Sequence, residues 1–116
     1  MKANIISSHI GTPLPSVRGF RERFEKEYKY IPDHNGVKGY TGVFILKAAV
    51  EKVGRVDPKL VAQALHGLSV TVAQEPGVLM DVSFDANGDL DRESFMTSVQ
   101  NGKQEVREIL PALSAK

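Results

Sequence analysis

Asp85, Asn87, Asp89 and Asp91 stand at alternate positions, the spacing at which a calcium-binding loop presents its oxygen ligands. Such a loop also needs glycine at its sharp bend and a glutamate to close the shell, and this chain has Leu90 and Met96 there. A hydrophilic turn that uses Asn87-Gly88 for its positive φ angles accounts for the same residues without a cation. His9, His34 and His66 are the three histidines, and none has a second at the three-to-five-residue spacing that presents two imidazoles to one metal. No metal and no cofactor are expected. His66 falls at the C-terminal end of a helix, where the macrodipole favours an imidazolium. His34 lies beside Asp33 and Asn35 at a helix start, where it can serve a capping cluster or touch a ligand.

Catalytic patterns are missing. The sequence holds no nucleophile elbow, no phosphate-binding P-loop and no dinucleotide fingerprint. Glu22, Glu25 and Glu27 could pair as acid and base only on paper, since they occupy the solvated face of an amphipathic helix. No catalytic residue is assigned, and the reading is that of a binding module. Tyr40 and Phe44, four apart, read as core rather than as a stacking platform.

The elements that would position these residues follow from periodicity. Residues 5–10 are β-branched and short, and a loop rich in proline closes them, which predicts a strand. Over residues 16–28, Val17, Phe20, Phe24 and Tyr28 recur at helical spacing against a charged face. A breaker-rich stretch at 30–36 opens a second helix predicted over 37–53, in which Thr41 and Lys47 are the only fully polar side chains between 40 and 50. A helix so apolar must be buried on most sides, and Gly39 and Gly42 offer slots for close approach. Asp57 as N-cap and Pro58 in the first turn start a third helix that stops near Gly67.

Past Ser69 the pattern changes to period two. Val78, Met80, Val82 and Phe84 predict a strand over 77–84, residues 85–89 a turn, and residues 95–99 with 106–110 a hairpin around Asn101-Gly102. Residues 111–116 read as a frayed tail.

Fifteen basic against fourteen acidic residues are interspersed, leaving a net charge of +1 and no basic stripe for nucleic acid. No apolar run approaches the ~20 residues of a membrane span, and the start of the chain has none of the pattern of a secretory signal, so no export is expected for the chain as written. The absence of cysteine fits either redox compartment.

The order of these elements resembles the C-terminal part of the branched-chain amino acid (Leu/Ile/Val) binding proteins of ABC transporters, type I periplasmic solute-binding proteins of α/β class. Phe20, Phe24, Tyr28 and Pro32 carry the first part of the likeness, with Gly39-Tyr40-Thr41-Gly42 opening an apolar helix. Ala49, Glu51, Gly54 and Asp57 carry the second, and Gly77, Phe84-Asp85 and Gly88-Asp89 the third. Together they cover about residues 5–109. The resemblance implies two lobes joined by crossover strands, with a small amino-acid-like ligand enclosed by hinge closure and an ABC permease as partner. It implies a periplasmic location for a full-length parent. It also implies that residues 5–94 are mostly first-lobe elements after a crossover strand, and that the hairpin at 95–110 returns to the second lobe. The family's cleft-facing position ahead of the second helix, often aromatic, falls at about Asn35, which points either to a ligand more polar than leucine or to no ligand contact there. Asn35 is therefore the first ligand-binding candidate, followed by His34 and Tyr40.

Two other functions fit the same pattern: a ligand-sensing regulator on this fold, or a self-associating piece that binds nothing itself. Self-association is expected on physical grounds, because a helix apolar on most sides needs partners that this chain can scarcely supply.

Overall fold

The structure, a computed structural model, describes residues 4–7 and 13–115. The chain packs as two compact units, one of residues 1–37 with 93–116 and one of residues 38–92. The element order is mixed α/β, as expected.

In the first unit, β1 (Asn4–Ser7) pairs antiparallel with β5 (Ser94–Gln100), which pairs with β6 (Lys103–Leu110). The rest of the strand predicted over 5–10 lies outside the described residues. Asn101 and Gly102 both take positive φ, 51° and 74°, as a tight two-residue hairpin turn requires. That turn fixes the register, and a bulge between Met96 and Thr97 shifts it once. Phe95 and Thr97 are fully buried. Thr97 Oγ1 accepts from Gln104 Nε2 at 2.8 Å, and Ser98 Oγ accepts from Arg107 Nε at 2.8 Å, so the buried hydroxyls are satisfied.

Helix α1 (Pro15–Tyr28) buries Val17 and Phe20 along its apolar stripe. It ends at Lys29, whose φ of 62° forms a left-handed cap without glycine. Phe24 stacks between Tyr28 and Tyr30, with ring centroids 4.6 and 5.2 Å away.

Helix α2 (His34–Val53) starts three residues before the predicted Val37. Asp33 Oδ1 accepts from Gly36 N at 2.9 Å, so Asp33 caps the helix and draws His34 and Asn35 into its first turn. In the second unit α2 packs with α3 (Pro58–Leu65) and an antiparallel sheet of β2 (Ser69–Val70), β3 (Val82–Phe84) and β4 (Leu90–Asp91). Ala49, Val61, Leu68, Val70, Val78 and Val82 form its buried core. Asp57 caps α3 as predicted, its side chain accepting from Lys59 N and Leu60 N. Helix α2 is not buried on most sides, however: Val43 is 65% and Leu46 52% exposed.

The strand predicted over 77–84 is shorter than expected. Pro76–Val78 form a turn of 3-10 helix, Leu79 takes a φ of 62°, and only Val82–Phe84 are extended. Pro76 offers no N–H to a ladder, and the Glu75 side chain takes the Gly77 N–H, so the segment turns before it can pair. Val78, Leu79 and Met80 are buried in succession before Asp81 is exposed, so the apolar spacing of Val78, Met80 and Val82 imitates a strand although only its last member is in one. The tail ends in a further 3-10 turn, Leu113–Ala115.

Candidate ligand-binding site

The three candidates fall on α2 but divide between the units. His34 and Asn35, both exposed, belong to the first; Tyr40, half-buried, belongs to the second. Asp33 and buried Pro32 hold the first turn of α2 in place. A Cβ added at Gly36 would make ordinary contact with Pro32 Cβ at 3.4 Å, and the His34 and Asn35 residues are exposed to solvent. An amide and an imidazole there can donate to or accept from a small polar ligand. Tyr40 is tied to Phe44, ring centroids 5.0 Å apart, and the Phe44 ring lies directly against Gly77. Its ring therefore packs within the unit, as its spacing predicted.

The acidic turn is engaged with its own backbone. Asp85 Oδ1 accepts from Asn87 N at 2.8 Å and from Asp89 N at 2.9 Å, and Gly88 takes a φ of 88°. His66, just past α3, closes over it: Nδ1 lies 2.9 Å from Ala86 O, and the ring sits against Gly88. That cross-element clasp is a more specific role than the macrodipole contact expected for His66. Among the described residues no group of three or more histidine, aspartate or glutamate side chains could hold a metal ion.

Sequence reasoning missed an ion cluster. Lys47 Nζ lies 2.6 Å from Glu75 Oε2 and 3.0 Å from Glu51 Oε1, at the mouth of an open concavity of about 220 Å³ floored by Ala48, Leu68 and Val70. The Lys47–Glu51 pair is legible as an i, i+4 spacing; Glu75, 28 residues from Lys47, is not. The lysine offsets one of the two carboxylate charges, and the cluster staples α2 to the turn ahead of Pro76.

The hydrogen bond from Lys47, then that from the Gly77 N–H, holds the Glu75 carboxyl below its ordinary value of 4.5. A carboxyl depressed on folding stabilises the fold at pH above 4.5, and the benefit is lost as pH falls through the lowered value. Glu75→Gln is expected to lower the melting temperature at pH 7, with the wild-type and variant curves converging in acid. Melting curves from pH 7 down to about 3 check this; a constant offset between the two proteins would contradict it.

The model of the family described as periplasmic binding protein matches residues 6–104. The chain belongs to this family. Solved structures agree on the fold. A leucine-binding protein of Thermotoga maritima is 19% identical with a TM-score of 0.68, and the match covers 96% of this chain. A solute-binding protein of an ABC transporter from Rhodopseudomonas palustris BisB5, solved with 3,4-dihydroxybenzoic acid, is 18% identical with a TM-score of 0.78 over 97% of the chain. Another from R. palustris, solved with benzoate, is 20% identical with a TM-score of 0.72 over 97%. The chain spans 31% of the length of each of these structures. The fold is that of a type I periplasmic binding protein, whose family works by binding solutes. No helix among the described residues is long and apolar enough to cross a membrane.

Proposed function

We propose that this chain is part of an extracytoplasmic receptor that captures a small amino-acid-like ligand and delivers it to an ABC permease, without catalysing a reaction. The observation that carries the reading is the family match across residues 6–104, supported by the TM-score of 0.78 against a solved solute-binding structure. The ligands named for those structures, leucine, benzoate and 3,4-dihydroxybenzoic acid, share one feature, a carboxylate on a small apolar body. A carboxylate-bearing solute of the Leu/Ile/Val type or its aromatic counterpart is the ligand class that follows. The receptor acts in the periplasm.

On this reading Asn35 supplies the first contact to the ligand, with His34 and Tyr40 after it. Exposure of His34 and Asn35 on the first turn of α2, beside a rigid Asp33 cap, supports the assignment. Strand β1 acts as a crossover, the unit of residues 38–92 belongs to one lobe, and α1 and the β5–β6 hairpin, which share the other unit, belong to the second. Closure of the lobes about such crossovers encloses the solute.

In a receptor-length protein carrying this sequence, Asn35→Ala is expected to weaken the ligand about tenfold, or about 1.4 kcal/mol. The variant should leave the unliganded melting temperature unchanged, because the side chain is exposed. Calorimetric titration against branched-chain amino acids and benzoates reads the effect. Unchanged affinity in Asn35→Ala, His34→Ala and Tyr40→Phe alike would remove this end of α2 from the site.

A further inference from the structure

Three asparagines of this chain precede a glycine: Asn35, Asn87 and Asn101. An asparagine in that pair can lose its side-chain amide, because the following nitrogen, on a residue without a Cβ, can reach the asparagine Cγ. The fold treats the three glycine nitrogens differently. Gly36 N donates to Asp33 Oδ1 at 2.9 Å, in the first turn of α2. Gly88 N donates to Asp85 O at 3.1 Å, beside the His66 ring, while Asp85 Oδ1 accepts from Asn87 N and Asp89 N on either side. Both glycines are half-buried with a carboxylate close by, and that negative charge opposes loss of a proton from nitrogen.

Gly102 differs on every count. Asn101 and Gly102 are both exposed, and nothing lies within 4 Å of a Cβ added at Gly102. Among the described residues no acceptor holds the Gly102 N–H. The next side chain is a cation, Lys103.

We propose that Asn101 is a site of self-modification, converting to isoaspartate and aspartate ahead of Asn35 and Asn87. The Gly102 nitrogen gives its proton to a solvent base and attacks Asn101 Cγ, forming a C–N bond. The tetrahedral carbon expels the side-chain nitrogen, which takes up a proton and leaves as ammonia, and a five-membered imide remains. Water then adds to the main-chain carbonyl carbon, leaving the glycine bonded through Cγ as isoaspartate, or to Cγ, restoring the main chain as aspartate. One water is consumed and one ammonia released. Isoaspartate puts an extra methylene into the two-residue loop that sets the pairing of β5 with β6.

Incubation of the 116-residue chain in mildly alkaline heavy-oxygen water, followed by digestion and peptide mass spectrometry, tests the proposal. Asn101 is expected to convert at least about tenfold faster than Asn35 or Asn87, the rate equivalent of the hydrogen bond that each of the other glycines must first break. In concentrated guanidinium chloride the gap should close, since all three share the same residue pair and only the fold distinguishes them. Equal rates in native buffer, or a gap that survives denaturation, would overturn the proposal. So would aspartate without isoaspartate at position 101, because direct hydrolysis of the amide yields aspartate alone.

Discussion

Gly77→Ala is expected to lower stability by about 3 kcal/mol, at the upper end of the range for forced overpacking. A methyl group at this position would overlap the base of the Phe44 ring at Cγ, Cδ1 and Cδ2, far closer than the 3.0 Å that real Cβ atoms keep. Neither side can give way cheaply. The clashing atoms are the ring's own base and neighbours, not the tip of a flexible chain, and Gly77 and Val78 are both buried. The 3-10 turn at Pro76–Val78 is also held from the other side by the Glu75 carboxylate on Gly77 N. Urea unfolding measures the loss. Adding Phe44→Ala to Gly77→Ala should cost less than the sum of the two single substitutions, because the contact responsible is gone; strict additivity would show that the ring is not what forbids a side chain.

In the other unit, Phe95→Ala is expected to cost about 3–5 kcal/mol, the usual range for emptying a phenylalanine site. Phe95 is the largest fully buried side chain among the described residues, and it lies on β5, the strand shared by β1 and β6. The bulge that follows at Met96/Thr97 fixes how the strand continues, so neighbouring residues cannot slide along the ladder to fill the hole. A loss below about 1 kcal/mol by urea unfolding would mean that the site collapses around the smaller residue.

Those elements whose signals are local were legible in the sequence. Asp57-Pro58 placed the start of α3, and Asn101-Gly102 placed the hairpin turn, because both depend on backbone chemistry within a few residues. The segment after Pro76 was not legible, since Val78 and Val82 are buried by tertiary packing in one core with Ala49 of α2 rather than by an extended backbone. Pairing of β1 with β5 joins residues some 90 positions apart, for example Ile5 with Thr97, and no local pattern encodes such a partner. As for the site, Asn35 came from family resemblance alone, while capping residues were legible at 33–35 and the fold showed that Asp33 is the one that accepts from Gly36 N. The chemistry of an exposed asparagine is too common to announce itself. Apolarity of α2 was plain in the residues, but which of its sides lies open was not: Val43 and Ala49 are equally apolar letters, one 65% exposed and the other fully buried.

Under the proposed function the residues of this chain supply only part of a ligand pocket, in keeping with the 31% of the solute-binding structures that they span. Isothermal titration of the 116-residue chain alone with leucine, isoleucine, valine and benzoate tests this most directly. The account predicts no saturable heat up to millimolar ligand, whereas stoichiometric micromolar binding by the chain alone would contradict it.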